Sequence, residues 1–328
     1  MLKQLDTFTV LLLAAIGLAS VWPPGAPVLA LLNPLSSIGI TILFFVHGAA
    51  LPRQAVIRGM TQWRLHLFIF SITFIGFPIL LVPLAHLAGG WLPEPLRLGI
   101  IYLSVLPSAV SSSIAFTAMG RGNVPAAICS AALSNLFGLM LTPFLLALLA
   151  HTAGQQSFDI ATALKRIVLE LLLPFAVGQL CRPLLADLLD KTPVIKRLTD
   201  QVVILMVVYV AFAESMREGV WHDLPTQLIV GTIVFCGLVL GLVLATTSWL
   251  SRRLHFTKGD EIAAVFCGSK KSLASGLPMA KVLFAGNPAL GLIVLPIMCY
   301  NQLQILIGPL IARRYAKRLE SPSGEEAA

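Results

Sequence analysis

The chain has 328 residues, of which 57% are hydrophobic and only 12% are charged, and its mean hydropathy is +0.88. Soluble domains carry roughly 25% charged residues, so the composition argues against a soluble enzyme and indicates a polytopic membrane protein. The formal net charge of +8 would suit nucleic acid in a soluble chain, but basic residues beside apolar segments are typical of cytoplasmic loops. We therefore expect a lipid bilayer as the environment and no nucleic-acid partner.

Ten apolar segments follow one another along the chain. Segments of about 20 residues are long enough to cross a hydrocarbon core of about 30 Å. We expect an all-α protein with ten transmembrane helices, in which residues 1–320 form a single membrane domain and residues 321–328 a short disordered tail. The segments run approximately over 6–22, 28–50, 65–88, 96–120, 123–150, 162–185, 197–217, 227–251, 260–285 and 288–312.

Basic residues are distributed unevenly over the connections between these segments. Most of the 23 Lys and Arg residues fall on the side that also holds both termini. By the positive-inside rule this side is cytoplasmic. The expected location is a plasma membrane with both termini in the cytoplasm, and for a bacterial chain the cytoplasmic membrane.

The two halves of the chain repeat a polar and a proline position. Asn135 precedes Pro143 by the same interval as Asn301 precedes Pro309. The same shift in residue number that aligns these two pairs also aligns the serine-rich part of the fourth segment with the lysine-rich part of the ninth. An odd number of spans per half inverts the second half, so we predict inverted repeats over residues 1–150 and 157–316 with a broken helix in each.

The fourth segment contains the first predicted break, in the run LPSAVSSSIAF at residues 106–116. Pro107 removes a backbone hydrogen bond from the helix. The hydroxyls of Ser108, Ser111, Ser112 and Ser113 can bond the freed carbonyls or a ligand. The alternative is that these serines only allow close helix packing.

The ninth segment contains the run GSKKSLASGLP at residues 268–278, in which Ser269, Lys270, Lys271 and Ser272 are consecutive. A lysine at the centre of a membrane span costs roughly 2.5–3.5 kcal/mol on insertion scales, so both lysines must face protein or water. Glycine and Pro278 in the same run predict an interrupted helix. We predict a substrate or ion site here, at mid-membrane.

Three roles remain open for Lys270 and Lys271. One lysine could be a permanent cation that bonds backbone carbonyls where the two broken segments meet. It could instead be a titratable coupling group, because burial can move the pKa of a lysine toward the physiological range. The third role is attraction of an anionic substrate, and the simplest alternative is a side chain that reaches a cytoplasmic cavity.

Further polar residues within apolar segments complete the candidate set. Asn135, Asn301, Gln302 and Gln304 would line the site as amide ligands or join helices by hydrogen bonds. Two more candidates for coupling are His47, whose alternative is a packed and hydrogen-bonded histidine, and Glu214, because ionisable groups in spans are functional hypotheses by default.

Known catalytic patterns are missing from the sequence. It contains no HExxH, GxSxG or nucleotide-binding loop and no histidine spacing typical of a metal site. We expect no enzymatic activity and no organic cofactor.

Four stretches resemble the bile acid:sodium symporter-like (SBF-like) family, specifically its orphan sodium/bile-acid-cotransporter-7-like branch. They are FFVHGAALP at 44–52, LHLFIF at 65–70, LPSAVSSSIAFTA at 106–118 and FCGSKKSLASGLPMAKVLFAG at 266–286. The resemblance covers nearly the whole chain. It implies a panel domain of helices 1, 2, 6 and 7, a core domain of helices 3–5 and 8–10, and broken helices 4 and 9 that cross in the core.

The resemblance also implies a departure at the sodium sites. Positions that match acidic and amide sodium ligands of the sodium-coupled members are Phe266, Lys270 and Lys271 here. An ammonium group would repel sodium and could occupy its place. At the other site, Ser112 and Ser113 keep hydroxyls but lose an amide oxygen, which leaves a weak sodium site and no certain metal ligand.

The resulting hypothesis is a secondary active transporter that moves a small organic anion by alternating access. Sodium and protons are both candidates for the coupled ion. The alternative is a membrane sensor or regulator of ion homeostasis that keeps the fold without transporting. Substrate, stoichiometry and oligomeric state are outside what the sequence predicts.

Overall fold

Helices account for almost the whole structure. The computed structural model describes residues 7–50, 62–88, 90–152, 160–220 and 225–320, and within these ranges no residue forms a β-strand. The predicted all-α class is confirmed. The predicted tail at 321–328 lies outside the described residues.

We label the helices in chain order and write the two halves of a broken helix with letters. They are α1 (Thr7–Val21), α2 (Ala26–Ala50), α3 (Trp63–Leu87), α4a (Glu94–Val105), α4b (Val110–Met119), α5 (Val124–Thr152), α6 (160–191), α7 (Pro193–Arg217), α8 (Thr226–Arg253), α9a (Lys258–Ser269), α9b (Leu273–Leu283) and α10 (Leu290–Glu320).

Length and composition support a polytopic membrane protein. In the described ranges seven helices are long and apolar enough to cross a membrane, and α4a with α4b, bent by 57°, would add an eighth. Helix α1 has 15 residues, and the halves of α9 have 12 and 11. Residues 261–283 are buried except Ala274, so α9 does not need the apolar surface of a lipid-facing helix.

Two helices extend more than two residues beyond the predicted C-terminal segment ends. Helix α6 continues to Lys191 and α10 to Glu320, whereas the sequence predicted ends at 185 and 312. The prediction stopped at charged residues, but hydrogen bonding can carry a helix past the apolar region into water. Both extensions contain charged residues, in the runs ADLLDK at 186–191 and RRYAKRLE at 313–320, which is consistent with that position.

The helices pack as two groups. In the first, the α2 group, α2 packs against α6 and α7, and α1 packs against α7. In the second, the α9 group, α9a contacts α3, α4b, α5 and α8, and α10 contacts α4a, α8 and α9b. Contacts between the groups are made by α7 with α9b and α10, and by the first turns of α6 with α9b and α5.

Two glycines allow α2 and α6 to approach closely. A Cβ atom on Gly48 would collide with the carbonyl of Phe175, and one on Gly178 would collide with the carbonyl of Phe45. The contact is therefore reciprocal between the helices, which is typical of small-residue packing in membranes. Gly48 and Phe45 both belong to the FFVHGAALP stretch.

We expect Gly178→Leu to force α2 and α6 apart. Overpacking of this kind typically costs about 1–3 kcal/mol, so the thermal unfolding midpoint of the purified protein should fall. The matched control is Gly241→Leu on α8, because a Cβ atom there meets nothing within 4 Å. Equal midpoints for the two variants would contradict the close contact.

Candidate functional site at the broken helices

Helices α4 and α9 are both interrupted by a few extended residues. Leu106 follows α4a with a ψ of 148°, and Lys270 follows α9a with a ψ of 143°. Pro107 accounts for the first break, because it lacks an N–H and holds the preceding residue extended. At the second break, Ser272 caps α9b by accepting a hydrogen bond from the Ser275 N–H (3.2 Å).

The second break differs from the prediction in its cause. Gly268 lies inside α9a, and Gly276 and Pro278 lie inside α9b. The sequence analysis had attributed the interruption to these residues. Pro278 is the sixth residue of α9b and cannot donate to the Ala274 carbonyl, yet the helix continues to Leu283. The boundary is therefore set by the serine cap and not by this proline.

Each carbonyl from residue 104 to 108 accepts a hydrogen bond from another helix or from the α9 break. Unpaired carbonyls in an apolar environment are costly, so this pairing is what makes the α4 break tolerable. The donors are Lys271 Nζ to Ser104 (2.9 Å) and Leu106 (2.8 Å), Thr142 Oγ1 to Val105 (2.7 Å), the Ser272 N–H to Pro107 (2.9 Å) and Asn135 Nδ2 to Ser108 (2.7 Å).

Lys271 also bonds a third carbonyl, which α3 leaves free. Its Nζ donates to the Thr73 carbonyl at 2.9 Å. Thr73 lies in a π-helical turn, Ile72–Gly76, where the Phe77 N–H bonds Ile72 instead. The π-helical partner of Thr73 would be residue 78, a proline without an N–H. The ammonium group therefore takes the place of a missing backbone donor.

The Lys271 ammonium group is enclosed on its remaining side by an aromatic ring. Nζ lies 3.9 Å from the centroid of Phe77, and the residue is fully buried. A hydrogen bond from a charged donor contributes about 1.5–3 kcal/mol to stability. The combined contribution of three such bonds is therefore at least as large as the cost of inserting a lysine into a membrane span, roughly 2.5–3.5 kcal/mol. We call the three carbonyls of Thr73, Ser104 and Leu106 the carbonyl cage.

Gln304 of α10 holds the backbone of the same lysine. Its Oε1 accepts from the Lys271 N–H (3.1 Å), and its Nε2 donates to the Lys271 carbonyl (2.9 Å) and to Asn301 Oδ1 (3.0 Å). Tyr300 donates to the Ser269 carbonyl at 2.7 Å. The α9 break is therefore fixed by α10.

Two of the predicted serines join α4 to α9a directly. Ser108 Oγ donates to the Cys267 carbonyl (2.6 Å), and Ser113 Oγ donates to the Phe266 carbonyl (3.0 Å). Ser269 instead bonds within its own helix, to Val265. The hydroxyls of Ser108 and Ser113 serve packing between the broken helices.

Asn135 connects both breaks. Its Nδ2 bonds the Ser108 carbonyl, and its Oδ1 accepts from Ser275 Oγ at 2.6 Å. The Ser275 and Ser272 hydroxyls lie 3.0 Å apart. The amide thus links the α4 break to the cap of α9b.

Lys270 points to a different part of the structure. Its Nζ donates one long hydrogen bond, 3.3 Å, to the Gln304 carbonyl and lies 3.9 Å from the Phe116 ring centroid of α4b. It is 2% exposed. Phe266 is also buried there, and its ring centroid lies 5.9 Å from that of Phe116.

Three predicted polar groups have no partner among the residues that the structure describes. Helix α4b begins without a side-chain cap. In its first turn Ser111 is exposed and Ser112 half-buried, and neither hydroxyl bonds another described group. On α10, Gln302 Nε2 is buried without a hydrogen-bond partner in the described part of the chain. These groups remain free to bind a ligand.

His47 and Glu214 lie away from the breaks, in the α2 group. His47 Nε2 is 2.8 Å from Asp200 Oδ1, a pair between α2 and α7. Glu214 Oε1 accepts from Asn33 Nδ2 at 2.6 Å. Neither pair includes a residue of the α4 or α9 break.

A cavity of about 420 Å³ lies between α3 and α5. Its wall includes Ser134, whose Oγ accepts the Ser108 N–H at 2.9 Å, so the cavity adjoins the α4 break. No residue pattern in the sequence marks this cavity, so it was not predicted. It is lined by Trp63, His66, Leu67, Ile69, Phe70, Ser130, Leu133, Ser134 and Phe137.

We expect Lys271→Met to destabilise the fold more than Lys270→Met. Each buried carbonyl left without a donor costs about 1–3 kcal/mol, so the loss of three donors should cost about 3 kcal/mol or more. Lys270 loses only one long hydrogen bond and a ring contact. Thermal unfolding of the two purified variants measures the difference, and a Lys271→Met protein as stable as Lys270→Met would contradict the cage.

Comparison with known proteins identifies the family. Residues 6–317 match the sequence profile of the SBF-like CPA transporter family. An uncharacterized protein of Pseudomonas aeruginosa is 46% identical over 313 residues, covering 95% of this chain and 93% of that protein. YfeH of Escherichia coli K12, provisionally named a symporter, is 41% identical over 330 residues, covering 99% and 97%.

A vertebrate relative extends the similarity. Sodium/bile acid cotransporter 7 of Danio rerio is 29% identical over 281 residues, covering 84% of this chain and 82% of the relative. The resemblance inferred from the four sequence stretches is confirmed. The chain is a multi-pass membrane protein that belongs to the SBF-like CPA transporter family.

Proposed function

We propose that the chain is a secondary active transporter that moves a small organic anion by alternating access. The family supports a transporter or symporter. The anion, the coupled ion and the mechanism are our inference. The observation that carries the proposal is the pair of broken helices. The carbonyls freed at the α4 break accept hydrogen bonds from other parts of the protein, whereas the start of α4b has no side-chain cap.

The start of α4b has the chemistry of an anion site. The first N–H groups of a helix lack intrahelical acceptors and carry a partial positive charge, which attracts anions. Here the unpaired hydroxyls of Ser111 and Ser112 lie in the same turn. Gln302 and the Lys270 ammonium add further donors on the neighbouring helices α9 and α10, and we propose that these groups contact the anion during the cycle.

Lys271 has a different role in this proposal, that of a permanent cation. Its Nζ binds carbonyls of α3 and α4a and its backbone binds α10, and all of these helices belong to the α9 group. A group held from three sides within one packing unit is suited to stabilise that unit rather than to carry charge across the membrane. In this view the ammonium occupies the place of a bound sodium ion.

The two helix groups supply the moving parts. We propose that the α2 group is the panel and the α9 group the core, that residues 1–150 and 157–316 form inverted repeats, and that both termini are cytoplasmic. The equal lengths of α4a and α9a, 12 residues each, and the extended residue after each support the repeat. Alternating access then means movement of the core against the panel.

We expect loss of both hydroxyls, in Ser111→Ala/Ser112→Ala, to weaken anion binding and uptake. A thermal-shift screen of organic anions, with and without sodium, first identifies a ligand. Uptake of that ligand into proteoliposomes then compares the variant with the wild type. We predict a loss of at least about tenfold in affinity, since each lost hydrogen bond to a charged group is worth about 1.5–3 kcal/mol.

The control for this experiment is Thr41→Val, which removes an exposed hydroxyl of α2 that bonds only within its helix. It should bind and transport as the wild type does. If an anion stabilises the protein in the thermal-shift screen but neither a sodium nor a proton gradient drives its uptake, the sensor alternative replaces the transporter. If uptake is unaffected by the serine substitutions, the anion site lies elsewhere.

We expect sodium to stabilise Lys271→Ala more than it stabilises the wild type. Removal of the side chain leaves the carbonyl cage without its cation, and carbonyl oxygens are suitable ligands for a hard cation. The thermal midpoint of the variant should rise with sodium relative to the same concentration of choline. Lys270→Ala should show no such gain, and an absent sodium effect in Lys271→Ala would contradict the surrogate role.

A further inference from the structure

A third buried lysine, Lys281 of α9b, bonds the opposite helix group. Its Nζ donates to Asn33 Oδ1 of α2 and lies 4.0 Å from Glu214 Oε2 of α7. Asn33 Nδ2 in turn donates to Glu214 Oε1 at 2.6 Å. The three side chains therefore form a closed triangle that connects the α9 group to two helices of the α2 group.

Burial of the lysine makes this triangle more than a surface ion pair. The Lys281 side chain is 10% exposed and that of Glu214 29%. An exposed pair contributes little to stability, whereas a buried ammonium group that loses its partners is left uncompensated. Lys281 and Glu214 therefore favour the arrangement in which the two groups touch.

The next residue of α7 makes a second contact between the same groups. Ser215 Oγ donates to the Pro288 carbonyl (2.8 Å) and accepts from the Gly291 N–H (3.0 Å) at the start of α10. Consecutive residues of α7 thus hold both α9b and α10. All of these contacts lie at the end of the bundle where α2 and α10 begin and α7 ends.

We propose that Asn33, Glu214 and Lys281 form a latch that closes this end of the crevice between the two helix groups and opens in each transport cycle. The inference rests on the proposed function, because only a carrier must separate the groups repeatedly. Under the proposed orientation the latch lies on the non-cytoplasmic side. None of the three residues contributes to the carbonyl cage or to the proposed anion site.

Distance measurements between spin labels on the two groups test the latch without any substrate. Trp22, after α1, and Trp91, after α3, are 78% and 86% exposed and lie at the latch end of their respective groups. Both are replaced by labelled cysteine in a background where Cys181 and Cys299, the half-buried cysteines, are alanine. Double electron–electron resonance then gives the distance distribution.

We expect Lys281→Met and Glu214→Gln to add a population at longer distance that the unsubstituted background lacks. The charge-swapped variant Glu214→Lys/Lys281→Glu should return the distribution to a single short distance. An asparagine amide presents a donor and an acceptor, so Asn33 can flip and bridge the exchanged charges. A contact that only stabilises the fold would lower the thermal midpoint without creating the second distance.

The matched control is Arg217→Gln, which removes a charge from the same helix. Arg217 Nη1 bonds the Pro24 carbonyl within the α2 group, so its loss should leave the short distance unchanged. If Lys281→Met gives the same distribution as Arg217→Gln, the latch is refuted. If the latch variants open but no anion is transported, the three residues still hold this end closed, and it is the transporter proposal, with the opening in each cycle, that fails.

Discussion

The ammonium group of Lys271 is the contact on which the broken helices depend. It donates to Thr73, Ser104 and Leu106, so one side chain joins α9 to both α3 and α4a. Inside a membrane, a helix can be interrupted only where its freed backbone groups find other partners. Without this lysine, three carbonyls from two helices would lack a donor, and both the π-helical turn and the end of α4a would lose their support.

Occupation of the carbonyl cage by a side chain changes the ion chemistry that the family resemblance implies. The resemblance implies acidic and amide sodium ligands at the positions that Phe266, Lys270 and Lys271 take in this chain. In our proposal the positive charge is retained but is covalently part of the chain. Coupling then requires a group that changes partners during the cycle, and the lysine that contacts both helix groups is Lys281.

Much of the fold and part of the site follow from the sequence. Apolar segment lengths predict the helices, Pro107 predicts the first break, and the insertion cost predicts that both lysines face protein or water and not lipid. Which lysine enters the cage could not be predicted, because the choice depends on geometry. Adjacent side chains of an extended segment point in opposite directions, so Lys271 faces Phe77 of α3 and Lys270 faces Phe116 of α4b.

Long-range contacts account for what the sequence analysis missed. Thr73 is inconspicuous in the sequence, and its free carbonyl depends on a π-helical turn before Pro78. Lys281 is not among the candidates that the sequence indicates, because its partners Asn33 and Glu214 come from two other helices that are distant along the chain. Pro278 was given too much weight as a helix breaker, since the cap at Ser272 sets where α9b begins.

The measurement that tests the central claim most directly is a high-resolution cryo-electron microscopy structure of the wild-type protein in lipid nanodiscs with sodium present. The account predicts Lys271 Nζ within hydrogen-bond distance of the three carbonyls of Thr73, Ser104 and Leu106, with no ion density between them. A Lys271 side chain directed to water, with a separate cation among those carbonyls, would contradict it.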